Sequence, residues 1–157
     1  MKIHKAFYRS EIGPLEIRGT EEGILSVRFR TETSIPDLKP HPSLSECLRQ
    51  LDEYFKGSLH TFDLNLDIQG TDFQKSVWNE LRRIPYGKTT SYGEIAACIG
   101  RAKATRAVGN ANNRNNIVII IPCHRVIASN GRLAGFGGGL WRKEWLLEHE
   151  KEGLCRL

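Results

Sequence analysis

Ile119-Ile120-Ile121-Pro122-Cys123-His124-Arg125-Val126 runs a single cysteine out of an apolar stretch and into a histidine and an arginine. The apolar stretch begins at Ile117, giving five consecutive β-branched residues. Such a run reads as a strand buried on both faces or as a core segment. Pro122 stops it, so Cys123 is expected where a buried element emerges into a turn. A thiol attacks as its thiolate, and the positive charge of His124 and Arg125 is expected to favour that form. The commoner fate of a cysteine is a buried, inert thiol. Neighbours on an extended segment point in opposite directions, so His124 acts on Cys123 only through a bridging water or a turn.

Outward from this stretch, the C-terminal part reads as helical. Thr71-Asp72-Phe73-Gln74 is a capping box, followed by Phe73, Val77, Leu81 and Ile84 on one helical face, with Pro85-Tyr86-Gly87 ending the helix. Ser91-Tyr92-Gly93-Glu94 is a second capping box; Ile95, Ala96 and Ile99 make its apolar face and Gly100 its stop. A further helix is expected from Lys103, apolar at Ala104, Ala107, Val108 and Ala111 and polar at Arg106, Asn110 and Asn113 or Arg114. Two short helices across a tight glycine turn fit a helix-turn-helix, whose Arg and Asn side chains suit phosphates and base edges. They fit an ordinary αα-hairpin with a solvated polar face equally well. Gly135-Phe136-Gly137-Gly138-Gly139 is a loop that can fold closely round a flat ligand or simply link two elements. Leu140–Glu152 reads as a helix on which Glu150 follows Leu146 and Leu147 by four and three residues, sharing their apolar face. A carboxylate there needs a partner, and an imidazole is a suitable one.

Residues 1 to about 68 read differently. Leu15 and Ile17 alternate with polar neighbours, as do Leu25, Val27 and Phe29, with Glu21-Glu22-Gly23 as a hairpin turn between them. Pro36, Pro40 and Pro42 mark a loop, Leu44, Leu48, Leu51 and Phe55 a helix, and Phe62, Leu64, Leu66 and Ile68 another strand. The expected class is therefore α+β: a small N-terminal β-rich lobe, residues 1–69, before a helical C-terminal domain, residues 70–157. The chain has 23 Lys and Arg against 18 Asp and Glu, an excess that suits an anionic partner but does not require one. No apolar run reaches membrane-spanning length and the N-terminus lacks a signal-peptide pattern, so a cytoplasmic protein with no membrane partner is expected. Cys47, Cys98, Cys123 and Cys155 hold no metal-ligand spacing and read as free thiols, most of them buried.

Pro122-Cys123-His124-Arg125-Val126 resembles the active-site motif of the O6-alkylguanine-DNA alkyltransferases. Tyr92, Arg106-Ala107-Val108-Gly109, Asn115, the glycine loop and Lys143-Glu144-Trp145-Leu146-Leu147 fall at that family's spacings. The resemblance covers about residues 71–152 strongly and the first lobe, which it implies to be ribonuclease H-like, in pattern only. It implies that Cys123 accepts an alkyl group from O6-alkylguanine in double-stranded DNA, once and irreversibly, with O4-alkylthymine a further candidate substrate. It implies that His124 acts through a water as the base, that Glu150 orients His124, and that Asn115 holds the segment around the cysteine. It implies further that Tyr92 and Arg106 act on the DNA, Arg106 filling the gap left by a flipped base. Gly93, Arg101 and Ser129 match further DNA-contacting positions, and the backbone at Cys123, Val126 and Gly137 would hydrogen-bond the base, within a loop that includes Phe136 and Gly138. No cofactor and no metal is implied, and the protein is expected to be a monomer, associated with the nucleoid if the source is prokaryotic. Phe136 and Gly137 stand where several members carry tyrosine and serine, so the loop relies on backbone N–H groups. Two other functions compete: a non-catalytic lesion-binding protein of the same fold, and a cysteine hydrolase using Cys123, His124 and Glu150, which would need an oxyanion hole.

Overall fold

The computed structural model describes residues 1–32 and 34–155, which divide into two compact units at Ile68/Gln69.

In the first unit β1 (His4–Ser10), β2 (Gly13–Thr20) and β3 (Gly23–Phe29) form an antiparallel meander in the order β1-β2-β3. Glu21 and Glu22 make the β2–β3 turn, with Thr20 opposite Gly23 and the Thr20 hydroxyl accepting the Glu22 N–H at 3.1 Å. Ala6, Leu15, Ile17, Ile24 and Val27 are buried on one face, against α1 (Pro42–Phe55) and its Leu44, Leu51 and Tyr54. Pro42 occupies the first turn of α1, where its missing N–H costs nothing, and the His41 ring caps the helix by accepting the Ser43 N–H at 3.2 Å.

The simple alternation expected on β3 fails at one place. Arg18 pairs with Ser26 but Gly19 pairs with Ile24, so Leu25 is the extra residue of a bulge. One inserted residue moves the following side chains to the other face, and Ile24 rather than Leu25 is buried. The strand expected at 62–68 is also corrected. Only Leu66 bridges to Ile24, through Ile24 N–H to Asn65 O at 2.9 Å and Asp67 N–H to Ile24 O at 2.8 Å. Gln50 takes over part of the ladder: its side chain donates to Asp63 O at 3.0 Å and accepts Asp63 N–H at 2.9 Å. β1, which lacks clean alternation, went unread.

The second unit starts with α2 (Asp72–Leu81), whose capping box is complete: Thr71 Oγ1 accepts Gln74 N–H and the Gln74 side chain accepts Thr71 N–H. The helix ends at Leu81, three residues before the expected Ile84. Trp78, off the expected face, is buried and donates from Nε1 to Ala111 O at 2.9 Å, fixing α2 to α4 (Thr105–Asn113). Between them β4 (Thr90–Ser91) leads into α3 (Tyr92–Cys98). The Ser91 cap is half a box: its hydroxyl accepts Glu94 N–H at 3.1 Å, while the Glu94 carboxylate turns to the Thr90 hydroxyl. Gly100 has φ 74° and stops α3 as expected. α4 begins two residues later than Lys103, and Ala107 is exposed, not buried; Val108, Ala111 and Asn112 form the buried face. α5 (Leu140–Cys155) closes the unit.

Residues 117–121 take the core-segment alternative. All five are buried, yet the chain folds back on itself: Ile120 N–H bonds Val118 O at 2.8 Å and Ile121 N–H bonds Ile117 O at 3.0 Å. Ile119 is held at φ 73°, a left-handed conformation that costs a β-branched residue about 1–3 kcal/mol. Burying each aliphatic side chain contributes about 1.5–3 kcal/mol, so the five together outweigh that strain. No helix of the described residues is long and apolar enough to cross a membrane.

Candidate active site

Cys123 opens a single 3-10 turn, Cys123–Arg125, that passes directly into β5 (Val126–Ile127). β5 pairs in parallel with β4, Thr90 opposite Val126 and Ser91 opposite Ile127. That two-residue pairing ties the start of α3 to the reactive turn. Asn115 holds the approach: its Oδ1 accepts Ile117 N–H at 2.9 Å and its Nδ2 donates to Ile121 O at 2.8 Å. Asn112, which the sequence reading passed over, is buried on α4 and donates to Cys123 O at 3.4 Å. Its signal was helical spacing, one turn beyond Val108.

His124 is fully buried. Its Nε2 lies 2.7 Å from Glu150 Oε2. An ionised carboxylate only accepts, so Nε2 carries the proton and Nδ1 presents a lone pair. Nδ1 is buried with no hydrogen-bond partner among the described residues, and no hydrogen bond joins His124 to Cys123. Burial lowers the His124 pKa, against the pull of Glu150, so the ring is neutral at neutral pH.

Arg125 does not serve the thiol. Its Nε and Nη2 form a fork on Glu150 at 2.8 and 3.0 Å, and its Nη1 donates to Ile84 O at 2.7 Å. Glu150 Oε1 also accepts Gly87 N–H at 3.1 Å. Gly87 has φ 77°, and a Cβ there would lie 2.2 Å from Leu154 Cδ1, so only glycine lets the 85–88 turn reach Glu150 on α5. Burial alone would raise the Glu150 carboxyl, but the bonds from His124 and Arg125 hold it well below the usual carboxylate range. The expectation that Glu150 pairs with an imidazole matches the geometry; the second partner, Arg125, was unforeseen.

The expected activation of Cys123 by neighbouring positive charge is corrected. Burial pushes the thiol up to about 11; the Asn115 side chain and the Lys143 ammonium pull the other way and lose. Lys143, on the same stripe of α5 as Leu146 and Glu150, is itself buried, and burial lowers its pKa to about 8. It donates to Ala134 O at 2.8 Å and Gly135 O at 3.3 Å, while the Tyr92 hydroxyl donates to Ala134 O at 2.7 Å. Together they tie down the start of the glycine loop. Arg142 Nη1 holds its far end, donating to Gly138 O at 2.9 Å, and Phe136 O accepts Gly139 N–H at 2.9 Å. Gly135 sits at φ 49°, where a Cβ would lie 2.8 Å from Asn113 Oδ1.

The other sequence candidates are distributed over this unit. Arg106 is exposed on α4, alongside Ala107 and Asn110, which gives that helix a polar face with little side-chain bulk in its middle. Gly93 lies in the first turn of α3. Arg101 is exposed with its guanidinium 5.9 Å from the centre of the Phe73 ring. Ser129 and Gly137 are exposed, whereas Val126 is buried and its N–H is already donated to Cys123 O. The four cysteines are free, but only Cys47 and Cys123 are buried, fewer than expected.

Two family models match the chain: the ribonuclease-like domain of 6-O-methylguanine DNA methyltransferase over residues 3–68 and its DNA binding domain over residues 72–152. A methylated-DNA--protein-cysteine methyltransferase of Methanosarcina acetivorans is 50% identical over 98% of this chain and 100% of its own length. The crystal structure of the Mycobacterium tuberculosis O6-methylguanine methyltransferase superposes with a TM-score of 0.86 at 48% identity, covering 96% of this chain and 94% of that one. A Mycobacterium tuberculosis relative solved in complex with DNA gives 0.85 at 49% identity, over 94% of this chain and 92% of that one. With the α+β architecture, the Cys123 turn and both halves matched, the chain belongs to the 6-O-methylguanine DNA methyltransferase family.

Proposed function

We propose that this chain repairs DNA by direct reversal, moving the alkyl group of O6-alkylguanine onto Cys123 Sγ. The observation that carries the mechanism is the unpartnered, buried lone pair of His124 Nδ1, on a ring whose other nitrogen is fixed by Glu150. A water between Nδ1 and Sγ passes the thiol proton to His124. Because the thiol is pushed up to about 11, it needs such a base at neutral pH. The new bond joins Sγ to the alkyl carbon, and the carbon–O6 bond breaks with its electron pair going to the guanine. The proton that left the thiol balances the restored guanine. The product is a thioether, a poor leaving group, so each copy reacts once.

O6 of a stacked guanine is out of reach of a buried thiol, so the nucleotide has to leave the stack. The exposed α4 face, with Arg106 beside the small Ala107, fits the vacated duplex, and the tied glycine loop fits the flipped base. The relay from Glu150 through His124 is complete within one chain, so the reaction needs no second copy, and a DNA substrate places the protein inside the cell. The non-catalytic reading loses its ground because Cys123 and its relay are present.

Arg106→Ala is expected to slow repair of O6-methylguanine in a duplex at least tenfold while leaving the reaction with free O6-benzylguanine within about twofold, since a residue that fills a flipped-base gap has nothing to do for a free base. The two single-turnover rates check it. Equal losses on both substrates would remove Arg106 from the flipping step.

A further inference from the structure

The first unit holds 9 Lys and Arg against 11 Asp and Glu, yet its charges are sorted. On α1 the acids have local partners, Glu46 and Glu53 sharing Arg49 and Asp52 pairing with Lys56. The face of the sheet away from the buried core is different. It carries Lys5 and Arg9 from β1, Arg18 from β2, and Arg28 and Arg30 at the end of the meander. Against them stand Glu16, shared between Arg18 at 2.6 Å and Arg30 at 3.0 Å, and Glu32, which accepts from Arg30 Nε at 2.9 Å. Lys5 and Arg9 have no carboxylate within ion-pair distance among the described residues, and both are exposed.

Lys5 lies directly opposite Arg18, so two cations occupy one cross-strand pair. Like charges in that position destabilise a sheet. Edge strands often carry lysine to block edge-to-edge pairing, and Lys5 fits that explanation. Arg18 does not, because β2 is the central strand. Arg18 keeps Glu16 beside it, but Lys5 and Arg9 have no carboxylate of their own among the described residues, and two such exposed cations in a unit with more acids than bases point to an anion from outside the chain.

We propose that the outer face of the N-terminal sheet is a second contact for the phosphate backbone of duplex DNA, independent of sequence and of the lesion. The assignment rests on the family reading that the partner of this chain is DNA; charge complementarity selects phosphates, because the face offers cations and little to read a base. It adds to the affinity of the protein for undamaged duplex, on which a repair protein spends its search, and takes no part in alkyl transfer.

The test uses the full chain and the K5Q/R9Q/R18Q/R28Q variant, all four changes being at exposed positions. Binding to an undamaged duplex is measured by fluorescence anisotropy between about 50 and 200 mM salt. Each lost phosphate contact lowers the salt slope by about 1, so the slope is expected to fall by about 2 to 4 and the low-salt affinity at least tenfold. The rate with free O6-benzylguanine stays at the wild-type value. An unchanged slope and affinity would overturn the proposal. So would an unchanged slope accompanied by loss of self-association in sedimentation, which would make the face an interface between copies. Failure of the wild-type protein to react with O6-benzylguanine would instead sink the alkyl-transfer reading and leave the salt slope to decide this one.

Discussion

Glu150→Ala is expected to lower the unfolding free energy by about 3–5 kcal/mol, because it strands the buried Arg125 guanidinium without a counter-charge. The carboxylate accepts four hydrogen bonds, from His124, twice from Arg125, and from Gly87 N–H, so its loss also frees the 85–88 turn. Urea unfolding checks the magnitude. A Glu150→Leu, Arg125→Met double variant should be less destabilised than Glu150→Ala, since it removes both charges together. A loss below about 1 kcal/mol in the single variant would mean that the cluster contributes little. The same cluster sets the acid limit of the fold. Both Glu150 and His124 have depressed folded-state pKa values, so the unfolded chain binds the extra proton. Stability from these groups is complete above 6.5, declines below it as unfolded His124 is protonated, and declines further below 4.5 as Glu150 follows.

His124→Ala is expected to slow alkyl transfer to free O6-benzylguanine by about 10²–10⁴-fold at neutral pH, the range for loss of a positioned base. With the thiol at about 11, roughly one in ten thousand is ionised at pH 7. The variant then depends on spontaneous ionisation, and its rate should climb about tenfold per pH unit toward about 11. The wild-type rate should change far less than that from pH 7 to 8, because His124 is neutral throughout and only Lys143, lowered to about 8, changes charge near the thiol. Measured with the free base, the comparison excludes any effect on DNA binding. A His124→Ala rate within threefold of wild type at pH 7 would contradict the role of Nδ1.

The parts of this molecule legible in its sequence are those set by local rules. The Thr71 capping box, the Gly100 stop and the helical spacing that buries Glu150 each depend on a few neighbouring residues, and each forms. What could not be read depends on distant partners. Leu25 is displaced from the buried face by a bulge that shows only in the pairing of β3 with β2. The 62–68 segment alternates like a strand but gives part of its backbone bonding to the Gln50 side chain. Arg125 sits beside Cys123 in sequence, yet it is directed to a carboxylate 25 residues away, so sequence adjacency misassigned its charge to the thiol. Lys143, on the Leu146–Glu150 stripe, could have been flagged by the spacing that flagged Glu150; a lysine on a buried face raises the same demand for partners.

Cys123 is expected to take an alkyl group from DNA and keep it. Intact-protein mass spectrometry after incubation with a duplex containing O6-methylguanine tests it most directly. The expected result is a stable gain of one methyl group per chain, located on Cys123 by peptide mapping and absent from Cys123→Ala. Binding of that duplex with no gain in mass, or a methyl group on any other residue, would contradict it.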